Sequence, residues 1–185
     1  MKQRNPAAKA ALLGVFCAEA IAVSFLESLL PDFLPLPGVK PGFSNIVTMF
    51  CVSTLGWQYG LTVTLFKAVF ALLTRGTTAF FMSACGGLLS WLVMVLLFRF
   101  AAGKLGCLGI GLTCAVAHNA GQLGVAAVLL GPSVLALSPG LLLAGAAAGL
   151  VTGTVLRLLL PVLKKQTERF LSPPQRTIPP KEVDD

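Results

Sequence analysis

Between residues 7 and 163 the chain is a series of apolar runs. Most are close to the roughly 20 residues an α-helix needs to cross a hydrocarbon layer. Of 185 residues, 56% are hydrophobic and only 11% charged, where a soluble domain carries roughly a quarter charged. Such a chain has too few charges to cover a water-facing surface. Its mean hydropathy of +0.85 and its nineteen glycines suit helices packed closely in lipid. The expected fold is all-α, an integral membrane bundle of about six transmembrane helices.

The spans are placed at residues 7–30, 43–55, 59–74, 78–98, 108–130 and 139–163. Pro31, Pro35 and Pro37 break the chain after the first, because proline lacks a backbone donor and fixes φ. The run 43–73 is split at Gly56-Trp57-Gln58-Tyr59-Gly60, where two glycines flank two interface-favouring aromatics. The 43–55 helix is too short to cross a full bilayer upright, so it stops partway or lines a cavity. A basic start followed by residues 10–18 looks like a signal peptide, yet Glu19 and Glu27 interrupt the region where cleavage would fall. A retained first helix is expected.

Charge sets the orientation. With six spans, one side holds Lys2, Arg4, Lys9, Arg99, Lys104, Lys164, Lys165, Arg169, Arg176 and Lys181, and the other only Lys40 and Arg75. That asymmetry puts both termini in the cytoplasm of a bacterial cytoplasmic membrane, the chain passing through it repeatedly. It also accounts for the net charge of +7 without nucleic acid, which would need a basic face on a soluble fold. Residues 1–165 are assigned to the bundle and 166–185 to a solvated cytoplasmic tail, Pro-rich and charged from Ser172 onward. The five cysteines are odd in number and form no CxxC pair, so neither a disulfide framework nor a metal site is expected.

Polar side chains within spans cost a few kcal/mol each, roughly, and so invite a functional explanation. Glu19, Lys67, His118, Asn119, Gln122 and Arg157 are such residues, with Glu27, Lys40, Asn45 and Arg75 near span ends. His118 and Gln122 share a helix face at i,i+4, and Asn119 lies at i,i+3 from Gln122. They either line a ligand site or tie helices together. One histidine without nearby carboxylates or thiols supplies too few ligands for a metal. The loop ending in Lys40-Pro41-Gly42-Phe43-Ser44-Asn45 sets a cation before a helix N-terminus, as an anion contact or as a simple turn with an N-cap. Arg75 and Ser83 are further candidates for the substrate path. Gly145, Gly149 and Gly153 form a double GxxxG, and Ala7, Ala11, Ala18 and Ala22 a small-residue stripe, each a packing face inside the bundle or against a partner.

Several blocks carry a family resemblance. They are Glu27-Ser28-Leu29-Leu30-Pro31, Pro37-Gly38-Val39-Lys40-Pro41-Gly42-Phe43-Ser44-Asn45, Phe81-Met82-Ser83-Ala84-Cys85-Gly86-Gly87 and Ala117-His118-Asn119-Ala120-Gly121-Gln122. Over residues 10–160 the chain resembles the Gx transporter family, also labelled heptaprenyl diphosphate synthase component I. That family is similar to the S components of energy-coupling-factor transporters. Lys67 stands where the resemblance leads one to expect arginine, and a lysine meets an anion as a point charge rather than through a planar fork.

The resemblance implies substrate binding for uptake of a vitamin-like, hydrophobic or anionic molecule. On the reading of the polar residues above, Lys40, Asn45, Arg75, Ser83, His118, Asn119 and Gln122 would be the binding residues. Ala7, Ala11, Ala18 and Ala22 would meet a coupling membrane subunit that works with ATPases. Its other implication is a non-catalytic membrane subunit beside a prenyl synthase, in isoprenoid-quinone synthesis, or in a membrane electron-transfer complex. No aspartate-rich DDxxD motif and no Walker A sequence occurs, so neither prenyl elongation nor ATP hydrolysis is expected of this chain alone. No cofactor is expected.

Overall fold

The computed structural model describes residues 6–29, 40, 42–101 and 105–171. Among them are six α-helices: α1 (Pro6–Leu29), α2 (Asn45–Thr54), α3 (Trp57–Arg75), α4 (Thr77–Phe100), α5 (Cys107–Leu130) and α6 (Ser138–Leu171). A short 3-10 turn, Pro132–Leu137, leads into α6. Residues 30–39 and 41, most of the expected proline-glycine loop, lie outside the described residues, as do 102–104 and 172–185 of the expected tail.

The breaks fall where the backbone leaves helical space. Gly56, Gly76 and Gly131 have φ of 115°, 86° and 97°, at the junctions into α3, into α4 and after α5. Side-chain-bearing residues rarely adopt such values, so these glycines turn the chain sharply between antiparallel neighbours.

Helices α1, α4, α5 and α6 are long and apolar enough to cross a membrane. Their outward faces are apolar: Leu143 and Val128 are 72% and 84% exposed. In water such a surface would drive aggregation; in lipid it is solvated. The chain is a multi-pass membrane protein. α3 has 19 residues but carries Lys67 and Arg75. α2, with ten residues, spans roughly 15 Å, about half the hydrocarbon thickness.

α4 packs along α3 and α5, and α5 along α6. α2 is enclosed by α1, α3, α4 and α6, while α1 lies on α2 and α3 and barely reaches α6. The α5–α6 seam is made by glycines. A methyl group at Gly149 would come within 2.8 Å of Leu112 Cα, and one at Gly111 within 2.7 Å of the Gly149 carbonyl oxygen. The double GxxxG therefore serves internal packing.

Two apolar clusters form the core. The larger joins Phe16 and Phe50, edge to face at 5.2 Å, with Val63, Met94, Cys114 and Leu156. The smaller joins Met82, Leu123, Ala126 and Leu141 near the opposite end of the bundle. Between them lies a polar layer.

Candidate functional site

The depth of that layer follows from helix geometry. Lys67 on α3 and His118 on α5 each stand roughly 15 Å from the start of their helix at 1.5 Å per residue. α2 starts at the same depth, because it is only half a span long. A half-helix thus opens its N-terminus at mid-bundle, opposite side chains from two full-length helices.

These elements enclose a small cavity of about 20 Å³. α1 contributes Ser24 and Glu27, the segment before α2 Lys40, Gly42 and Ser44, and α3 Lys67 and Arg75; α4 adds Ser83, and α5 adds His118 and Gln122. Five of the residues expected from sequence therefore meet here: Lys40, Arg75, Ser83, His118 and Gln122. Asn45 borders the site, its Oδ1 accepting a 2.8 Å hydrogen bond from Lys67 Nζ.

Asn119 does not join them. Fully buried, it turns toward α6, where its Nδ2 donates to the Leu141 carbonyl at 2.8 Å. A methyl at Gly145 would run into this amide, so Gly145 makes room for an interhelical tie. Glu19 and Arg157, which the sequence marks as polar groups within spans, are exposed on the outer surfaces of α1 and α6. They lie outside the site.

Glu27 and Lys67 are full members of the site. Glu27 is 4% exposed, and its Oε1 accepts from the Phe43 backbone N–H, pinning the start of the half-helix to α1. The amides of Asn45, Ile46 and Val47 fold back onto the Gly42, Phe43 and Ser44 carbonyls at 3.0, 3.0 and 3.3 Å. Glu27 is thus a cap supplied from another helix, favourably placed on the positive end of the α2 dipole. Both residues were visible in the sequence as charges in apolar runs. Ser24 and Ser44 gave no such signal, because serine is common in membrane helices for packing alone.

Gln122 Nε2 and His118 Nε2 lie 3.1 Å apart. In this orientation the amide donates, the ring nitrogen accepts, and the ring proton belongs on Nδ1. Gln122 Oε1 and Asn45 Nδ2, both in buried side chains, have no hydrogen-bond partner among the described residues. His118 Nδ1 is likewise without a hydrogen-bond partner among the described residues. Close packing holds the ring. A methyl at Gly86 would stand 2.8 Å from the His118 carbonyl oxygen, and one at Gly42 would stand 2.9 Å from its Cδ2. Gly42 also has a φ of 85°, so a side chain there is excluded twice over.

Among the described residues no group of three or more His, Cys, Asp or Glu could hold a metal ion. What the site offers is hydrogen bonding and charge. Those features define a helical, multi-pass membrane protein with a polar pocket at mid-depth. The chain belongs to the family described as heptaprenyl diphosphate synthase component I, whose family model matches residues 16–159. Neither a curated protein nor a solved structure matches it.

Proposed function

We propose that this chain is the substrate-binding membrane subunit of a small-molecule uptake transporter. The observation that carries the reading is the set of buried, unpartnered polar atoms at the mid-depth cavity, Gln122 Oε1 and Asn45 Nδ2. A buried polar atom left without a partner costs about 1–3 kcal/mol, so two in one place favour a site completed by a ligand. Asn119 Oδ1 is also without a partner among the described residues, but it lies away from the cavity, whereas these two face or border it. The outward placement of Ala7, Ala11, Ala18 and Ala22 on α1 supports a second surface for a coupling subunit. The inner membrane location and cytoplasmic termini belong to the same proposal and rest on the Lys/Arg asymmetry.

The test is native mass spectrometry of the detergent-purified protein. A small molecule should co-purify with the wild type and be lost from the His118→Ala/Gln122→Ala double variant, while both unfold cooperatively. Wild-type ligand occupancy in the folded double variant would remove the site assignment.

The family description favours a second reading, a membrane partner of a catalytic prenyl synthase subunit. Affinity purification separates the two. A co-eluting ATPase pair with a membrane coupling subunit supports uptake; a co-eluting soluble prenyl synthase supports the accessory role.

A further inference from the structure

We infer that the cavity is an oxyanion site. The acidic group of the ligand, carboxylate or phosphate, is seated at the N-terminal end of α2 against Lys67 and Asn45, and a hydrogen-bond donor of the ligand meets Gln122 Oε1. This rests on reading the cavity as a ligand site, and it names the chemistry that site selects.

Three observations carry it. The first is charge. Lys67 is 4% exposed at mid-bundle, a depth where charge is costly, and the hydrogen bond it makes is to a neutral amide. An anion beside it offsets that charge, whereas a cation would add to it.

The second is that the protein already seats a carboxylate here. Glu27 accepts from the Phe43 N–H at the mouth of the half-helix, where the backbone dipole favours negative charge. The half-helix ends at mid-bundle rather than at a surface, so its dipole is little screened by solvent.

The third is the pattern of bonds still to be made. Lys67 Nζ donates to a neutral amide oxygen, Asn45 Oδ1, at 2.8 Å. The Asn45 amide nitrogen, in a residue 6% exposed, has no partner among the described residues. Its Nδ2 stands near Gly42, 3.1 Å from where a Cβ would be, at the cavity edge. An oxyanion placed there receives from both Lys67 Nζ and Asn45 Nδ2. On the other wall Gln122 Oε1, in a residue 3% exposed, has only acceptor capacity to offer. A ligand carrying an acidic group and an N–H or O–H donor completes both walls. At about 20 Å³ the cavity has room for about one water-sized group, so this conformation seats a single oxygen of the acidic group and the rest of the ligand needs the walls to part.

The test uses the full chain in nanodiscs of phosphatidylcholine alone. Inorganic phosphate and, separately, succinate are titrated at constant ionic strength, and the thermal unfolding midpoint is read. A second arm replaces the added anion with phosphatidylglycerol in the disc, to separate a soluble oxyanion from a lipid headgroup. Phosphate or succinate should raise the midpoint saturably in phosphatidylcholine. Lys67→Gln should weaken the apparent affinity at least tenfold, and Lys67→Arg should retain it. Glu27→Gln keeps an acceptor for the Phe43 N–H while removing a repelling charge, so it should strengthen the response severalfold.

A rise seen only with phosphatidylglycerol, with the same mutational signs, assigns the headgroup as the source of the oxyanion. No saturable rise in either arm overturns the proposal, as does a wild-type response in folded Lys67→Gln, or a Glu27→Gln variant that loses the response. If anions bind but no ATPase or coupling subunit co-purifies, the uptake reading fails and the oxyanion site stands. If such partners co-purify without anion binding, the reverse holds.

Discussion

Asn119 and Gln122 lie three residues apart and do different work. On a helix, 100° per residue places Gln122 about 40° from His118 and Asn119 about 100° from it. That difference turns Asn119 from the α4 side of α5 to the α6 side. Asn119→Ala should therefore destabilise the bundle by about 1 kcal/mol, the loss of one interhelical hydrogen bond in a membrane protein, and leave ligand binding unchanged. Gln122→Ala should do the opposite. Thermal unfolding and ligand occupancy, measured on both variants, check the division of labour. Loss of ligand in Asn119→Ala at unchanged stability would put its side chain back in the site. From sequence, spacing alone groups the three residues; only the position of α6 separates them. The Lys67–Asn45 bond was equally hidden, because it joins residues 22 apart in sequence through a chain reversal at Gly56. Intramembrane charge marked Glu27 and Lys67 as costly, and the packing shows what that cost supports.

At the scale of elements, helix starts and ends fall within two residues of expectation everywhere except at the end of the last helix. The expected 43–55 and 59–74 helices appear as Asn45–Thr54 and Trp57–Arg75, divided by the glycine the sequence singled out. The last helix was expected to stop at 163 but runs to Leu171. Hydropathy reports where the apolar run ends, whereas Lys164, Lys165, Gln166 and Glu168 are good helix formers that extend the helix, and Thr167 and Leu171 on that extension are buried. Glycine roles were ambiguous for a similar reason: a small residue permits close approach without saying to what. A Cβ at Gly149 would stand 2.8–2.9 Å from backbone atoms of α5, while one at Gly14 on α1 would meet nothing within 4 Å. Substituting alanine gains up to about 1 kcal/mol of helix propensity at either site, and at Gly149 overpacking against backbone costs about 1–3 kcal/mol. Gly149→Ala should thus be neutral to destabilising and Gly14→Ala stabilising, as read by thermal unfolding in detergent. Equal shifts would mean that the α5–α6 seam is looser than its contacts indicate.

For the whole molecule, orientation comes first. The Lys/Arg asymmetry predicts that green fluorescent protein fused after Asp185 is fluorescent in bacteria, whereas alkaline phosphatase at the same position is inactive. The reverse pattern would invert the bundle. The outward stripe on α1 gives the second prediction. Ala7, Ala11, Ala18 and Ala22 lie along the exposed side of a helix whose inner side holds Glu27 in the pocket. Such a surface lets a second backbone approach closely, and bulk there should matter only if something does. Ala11→Leu/Ala18→Leu adds apolar volume on a face in contact with lipid, so the unfolding midpoint and the occupancy of the pocket should stay within error of wild type. Co-purification of a membrane partner should fall at least tenfold. A drop in the midpoint instead would show that the stripe packs within this chain, and unchanged partner recovery would place the docking surface elsewhere. Because pocket and stripe share one helix, a partner lost through the outer face with the inner face still loaded would separate binding from coupling in a single variant.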